Sequence, residues 1–121
     1  MDNVTSPVEK EQVSELETIT LTNSFGMTVE IINFGARIKS IKFPNKGQLT
    51  EMILGYGSAQ EYLHDEFYLG ATCGRVCNRI AGGKFEIEKH QFQLTQNDGD
   101  NCLHGGTNNF SHRFWQINKE S

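Results

Sequence analysis

Alternation of polar and apolar side chains, in short runs cut by turn residues, is the pattern that most constrains this chain. Phe85, Ile87, Phe92 and Leu94 alternate with Glu86, Glu88, Gln91 and Gln93 around Glu88-Lys89-His90. Successive side chains of a strand face opposite sides, so this order reads as a β-hairpin with one wet face. Glu17 to Asn23 alternates in the same way and is rich in β-branched residues. Asn23-Ser24-Phe25-Gly26 supplies a turn, and Met27 to Phe34 returns as the second strand of a hairpin.

Gly35-Ala36-Arg37 ends that run. Ile38 to Phe43 alternates again, but neither face is wholly apolar, which predicts a strand near a sheet edge. Pro44 to Gly47 closes it as a turn, and Met52-Ile53-Leu54-Gly55 reads as a short apolar strand. Ser58 to His64 fits one helical turn with Ser58 as its N-cap. Tyr68 to Gly74 is apolar and small, as expected of a buried segment. Asn97 to Asn101 is a loop, and Phe114 to Asn118 begins another strand, with Phe114 and Trp115 as core residues. Helical periodicity is nowhere sustained over an ordinary helix length. The expected fold is therefore all-β, an antiparallel β-sandwich, over residues 17–121. Residues 1–16 are rich in Glu, Lys, Ser and Gln and read as a flexible leader.

Composition narrows the function classes. A chain of 121 residues is one domain at most, or a piece of a larger one. A net charge of −4 with no basic stripe argues against a nucleic-acid partner. No run is long and apolar enough to span a membrane, and Met1 to Gln12 lacks the apolar stretch of a signal peptide. These features predict a cytoplasmic protein. Three cysteines fit a reduced compartment; Cys73 and Cys77 are spaced C-x-x-x-C with no second ligand pair, so no metal site is expected and they read as small half-buried thiols. The sequons at Asn3 and Asn109 read as chance in that compartment.

Two glycine-flanked segments carry the chemistry. Gly74-Arg75-Val76-Cys77-Asn78-Arg79-Ile80-Ala81-Gly82-Gly83 is followed by Asn101-Cys102-Leu103-His104-Gly105-Gly106. Arg79 offers a planar fork of donors able to bridge two hydroxyl oxygens, and Asn78 adds a donor and an acceptor. His104, in a Leu-His-Gly-Gly turn, is suited to donate a proton or a hydrogen bond. Tyr68, Phe110 and Trp115 are candidates for an apolar wall beside them. Taken alone, Asn78 and Arg79 more often describe a surface strand with ordinary solvated contacts, and a single loop histidine is usually solvated. Arg75 reads as structural, pairing with a buried carboxylate or with backbone carbonyls. His64, His90 and His112 have no motif around them and read as surface.

Five blocks run in one order: Asn33-Phe34-Gly35-Ala36 through Leu54-Gly55-Tyr56, Gly74 to Gly83, the Phe85 to Leu94 hairpin, Asn101 to Gly106, and Phe110 to Trp115. Together they resemble the N-terminal part of the aldose 1-epimerases, or galactose mutarotases, over about Leu16 to Trp115. The resemblance implies a large β-sandwich of which this chain supplies the first strands. It also implies interconversion of the α- and β-anomers of a hexose such as glucose or galactose, with no metal or cofactor. Asn78 and Arg79 would bind the sugar, and His104 would lie at its ring oxygen. The family's principal acid, a second histidine, its base, a glutamate, and a sugar-binding aspartate would fall beyond Ser121. His112 lies in the wrong block to replace that histidine. A non-catalytic carbohydrate-binding or regulatory module of the same fold is the alternative. A related branch acting on hexose 6-phosphates would want a basic cluster that these segments do not show.

Overall fold

Asn23 shapes the first turn in the computed structural model, which describes residues 15–120. Its side-chain oxygen accepts from the N–H groups of Phe25 and Met27, both at 3.0 Å, and the Gly26 N–H donates to its carbonyl at 3.1 Å. This Asx turn joins β1 (Thr18–Thr22) to β2 (Thr28–Ile32), which pair antiparallel from Thr18 opposite Ile32 to Thr22 opposite Thr28. Strand β3 (Arg37–Asn45) pairs with β2 through a bulge at Glu30/Ile31, and β4 (Gln48–Glu51) returns along β3. The turn between β3 and β4 needs only Lys46 and Gly47, at φ +49° and +81°. Two successive positive φ values match the twist of the flanking strands, and they set the register of the pair.

The four strands form one sheet in the order β1-β2-β3-β4. Two separate ribbons complete the strands: β5 (Arg79–Ile80) with β8 (Cys102–Leu103), and β6 (Lys84–Ile87) with β7 (His90–Gln93). Helical structure among the described residues is confined to 3₁₀ turns at Ala59–His64, Ala81–Gly83 and Phe110–His112, so the fold is all-β. None is long and apolar enough to cross a membrane. The turn at Ala59–His64 has Ser58 as its N-cap, as its sequence predicts, and the Glu61 carboxylate accepts from the Ser58 N–H at 2.9 Å. Most of the expected leader, and Asn3 with it, lies outside the described residues. The Glu15 carbonyl accepts from the Asn33 side chain at 2.9 Å.

Several expectations are corrected. Strand β3 lies inside the sheet, between β2 and β4, rather than at its edge. Its mixed faces reflect ion pairing: Lys39 meets Glu30 across the β2–β3 pair at 2.6 Å. The fourth strand is polar Gln48–Glu51, not apolar Met52 to Gly55. The Glu51 carboxylate accepts from Ser40 Oγ at 2.5 Å and from the Ile41 N–H at 2.9 Å, and beyond a last bond from the Met52 N–H to the Ile41 carbonyl the chain leaves the sheet. The Ser40 hydrogen bond, opposed by burial and aided by the backbone donors, holds the Glu51 pKa below the usual carboxylate value.

Tyr68 to Gly74 is mostly half-buried or exposed and only Gly74 is buried, since the segment runs across the protein as irregular chain. Phe114 to Asn118 is no strand. Phe114 makes an isolated bridge to Phe34, the Gly35 N–H donates to the Arg113 carbonyl at 2.7 Å, and the Trp115 N–H donates to the Asn33 carbonyl at 2.8 Å. Phe114 and Trp115 stay 38% and 36% exposed, so they are not core residues. Of the thiols, Cys73 is half-buried, Cys77 exposed and Cys102 fully buried in β8; all are free.

The core has a polar centre. Ile32, Phe34, Tyr62 and Cys102 are its buried apolar residues among those described, and Arg37 among them is wholly inaccessible. The Arg37 guanidinium pairs with Asp65 at 2.5 Å and donates to the carbonyls of Leu69 at 3.2 Å and Ser111 at 3.1 Å. It also lies over the rings of Phe34 and Tyr62, at 5.7 and 5.8 Å from their centroids. Gly35 makes room: a Cβ there would strike the Ser111 carbonyl and come 2.8 Å from Arg37 Nε. Asp65 also accepts from the Tyr56 hydroxyl at 2.8 Å and from the N–H groups of Phe67 and Leu69. Burial pushes its pKa up, but the hydrogen bonds from Arg37, Tyr56 and the backbone outweigh this and hold it below the usual carboxylate value.

Two predictions follow from this centre. Replacing Arg37 by Met leaves a buried carboxylate without its partner, so the unfolding free energy should drop by about 3–5 kcal/mol in urea titration. Because the folded-state pKa of Asp65 is depressed, its contribution is complete above the unfolded value of about 4 and is lost as pH falls through the lower folded value. The urea midpoint of the wild-type chain should therefore fall more steeply below pH 4 than that of Asp65→Asn.

Candidate functional site

Strand β5 pairs with β8 over only two residue pairs, Arg79 with Leu103 and Ile80 with Cys102. That ribbon brings the two glycine-flanked segments together. At its end, the Asn78 N–H donates to His104 Nδ1 at 3.1 Å, and the His104 N–H donates to the Asn78 carbonyl at 3.1 Å. A backbone N–H can only donate, so Nδ1 is the bare nitrogen and Nε2 carries the hydrogen. Half-buried His104 thus offers an N–H donor at Nε2.

The Asn78 side-chain oxygen accepts from the Arg79 N–H at 2.9 Å, which holds the bend preceding β5. The Arg79 side chain is exposed, and its Nε donates to Asp98 Oδ2 at 2.6 Å. Among the described residues its two terminal nitrogens make no hydrogen bond, so the outer fork is open to a ligand. The three sequence-predicted site residues therefore stand together, two of them joined by reciprocal hydrogen bonds.

Backbone strain gathers at the same place. Tyr68, Asn78 and His104 take φ values of +58°, +58° and +49°. Asparagine tolerates this region; for tyrosine and histidine it costs about 1 kcal/mol or more each. Gly105 follows at φ +95°, and a Cβ there would run into the Gly74 carbonyl, so the turn bearing His104 packs directly on the first segment.

Beside these residues lies an open cleft of about 470 Å³, lined in part by Asp65, Glu66, Tyr68, Asn97, Asp98 and His112. That volume lies within the roughly 300–1,000 Å³ usual for small-molecule sites. The Tyr68 ring stands 4.7 Å from the His104 ring and 5.4 Å from the His112 ring, so one part of the expected apolar wall is in place. Phe110 and Trp115 are elsewhere: they pack edge-to-face at 5.3 Å and do not border the cleft. Arg75 is exposed over the Phe110 ring at 5.3 Å and, among the described residues, pairs with no carboxylate; the arginine that does so in the core is Arg37.

His112 is exposed, as its sequence context predicts, yet it also lines the cleft. Its Nδ1 lies 2.9 Å from Asn109 Oδ1. Burial, followed by the positive charge of Arg37, lowers its pKa and favours the neutral ring. Asn97, Asp98 and His112 are the site neighbours that sequence reasoning missed. The Asn-Asp-Gly turn signal was visible, but nothing in it named Arg79 and Leu103 as the partners of its side chains. Among the described residues, no group of three or more His, Cys, Asp or Glu is placed to hold a metal ion.

The family model described as aldose 1-epimerase matches residues 17–121. The chain is 37% identical over 100 residues to the aldose 1-epimerase of Escherichia coli (strain K12), covering 82% of this chain and 29% of that protein. Against the galactose mutarotase of Sus scrofa it is 37% identical over 90 residues, 74% of this chain and 26% of that one. In structure it is similar to the GalM/aldose epimerase homologue from C. elegans, with a TM-score of 0.81 and 31% identity over 88% of this chain and 33% of that chain. It spans about a quarter to a third of the length of these proteins. By its sequence and by its fold, the chain belongs to the aldose 1-epimerase family.

Proposed function

We propose that these residues carry the sugar-holding part of an aldose 1-epimerase, which interconverts the α- and β-anomers of a free hexose such as glucose or galactose. The observation that carries this reading is the reciprocal pair of hydrogen bonds between Asn78 and His104, which fixes an Nε2–H donor near the exposed Arg79 fork. Anomer exchange requires the ring to open. A base takes the proton of the anomeric hydroxyl, and the bond from the anomeric carbon to the ring oxygen breaks as an acid protonates that oxygen. In this reading His104 Nε2–H donates to the ring oxygen and stabilises the negative charge that gathers there. The outer nitrogens of Arg79 hold two hydroxyl groups, Asn78 fixes both residues, and Tyr68 lies against the C–H face. Binding and orientation of this kind need no cofactor.

The principal acid and base, a histidine and a glutamate in this family, are assigned to no residue of this chain. One observation favours the second reading, a carbohydrate-binding module without turnover. Two of the three cleft carboxylates are already engaged, Asp65 by Arg37 and Asp98 by Arg79; Glu66 is the third among the described residues.

Titration of the chain with D-galactose and D-glucose, followed by ¹H–¹⁵N spectra, tests the site. Arg79→Ala and His104→Ala should each weaken binding about tenfold or more, the loss expected for a charge-assisted or well-placed hydrogen bond. Wild-type affinity in either variant would remove that residue from the site. In polarimetry of freshly dissolved α-D-galactose, the chain alone should decay no faster than buffer. Acceleration would mean that a residue within the chain supplies the missing acid or base.

A further inference from the structure

The geometry points to Asn97 and Asp98 as a positioning pair that holds His104 and Arg79 in register with each other; we propose this as a role distinct from binding the sugar. The inference rests on the sugar-holding reading above. Asn97 acts on the histidine side. Its Oδ1 accepts from the Leu103 N–H at 2.7 Å, and its Nδ2 donates to the Leu103 carbonyl at 3.0 Å. One amide side chain thereby satisfies both backbone groups of the residue that precedes His104, as a neighbouring strand would. The same Nδ2 lies 3.4 Å from the Tyr68 hydroxyl, whose ring packs on His104 at 4.7 Å. The strained turn at His104 is therefore held from two sides, by its own chain and by the ring against it.

Asp98 acts on the arginine side. By taking Nε at 2.6 Å it leaves both terminal nitrogens of Arg79 facing outward as a fixed fork. The pair is 59% exposed at Arg79 and 36% at Asp98, and exposed ion pairs add about 0–1 kcal/mol to stability. Its effect is thus on direction rather than on folding. The two residues act as one unit because the loop bearing them is closed on itself. Asp98 and Asn101 exchange backbone hydrogen bonds at 3.1 and 3.0 Å around Gly99, and Asn101 Oδ1 accepts from the Gly82 N–H at 3.3 Å. This short loop joins β7 to β8 and bonds both to Arg79 of β5 and to Leu103 of β8, so a shift of one site residue is tied to a shift of the other.

The test uses the ¹⁵N-labelled chain without sugar, then with D-galactose. Asn97→Ala should lower hydrogen-exchange protection of the Asn78 and His104 amides about tenfold or more, while amides of the β1–β2 pair keep their wild-type protection. Asp98→Ala should speed exchange of the Arg79 Nε–H by a similar factor with no change in thermal midpoint. It should also weaken D-galactose binding about tenfold, and Asp98→Glu should restore part of that loss. Unchanged amide and guanidinium exchange would overturn the proposal. So would a loss of protection spread through β1 to β3 in Asn97→Ala, together with unaltered Arg79 exchange in Asp98→Ala, since that combination marks a purely structural residue. If the wild-type chain binds no sugar, the function reading fails, while the exchange data still decide whether the pair positions these side chains.

Discussion

Arg37 and Asp65 form the interaction on which the other parts depend. Few apolar side chains among the described residues are buried, so little hydrophobic core unites the pieces. A buried guanidinium takes that place. Its donors reach Asp65, Leu69 and Ser111, so strand β3, the irregular chain after the Ala59–His64 turn, and the Phe110–His112 turn meet at one group. Both side chains of the pair are fully buried, where the cost of desolvation is offset only by good geometry and by further hydrogen bonds. Asp65 has these, from Tyr56 and two backbone N–H groups. Among the described residues Arg37 Nε makes none, so the compensation is complete on the acid and partial on the base.

This centre reaches the cleft through Asp65, which lies in its lining, and it adds to burial the positive charge of Arg37, which lowers the His112 pKa further while Asp65 partly opposes it. The same acid cannot easily serve as a free base. It is held ionised and is already saturated by donors, and a carboxylate in that state has little tendency to take another proton. The cleft is therefore richer in fixed hydrogen-bonding geometry than in exchangeable protons.

What was legible in the sequence follows from range. The hairpins of β1–β2 and β6–β7 are local: alternation, an Asn23 turn and the Glu88-Lys89 turn contain all that is needed. The one-turn helix capped by Ser58 is local too. Errors arise where a distant partner decides. Hydrophobicity picked Met52 to Gly55 as a strand, but the two-residue Lys46-Gly47 turn had already fixed which residues face β3. Phe114 and Trp115 read as core by their size, yet they lie at the surface, tied to Asn33 and Gly35 by backbone bonds. No periodicity announces Arg37, which falls in the Gly35-Ala36-Arg37 break and whose partner lies 28 residues on.

The candidate site was read by another route. Neither Asn78, Arg79 nor His104 is distinctive alone; their order and spacing with the glycines carry the signal. The structure supplies the physical reason for those glycines and for the length between the segments. His104 and Asn78 must adopt left-handed backbone while exchanging two hydrogen bonds, and the turn must pack so closely on Gly74 that residue 105 has no room for a side chain. Such a junction is costly to form and tolerant of few substitutions, so a recognisable motif is left at both ends. The residues that steady it, Asn97 and Asp98, lie in a loop whose turn composition many sequences satisfy. Their identity becomes informative only when the atoms they hold are known.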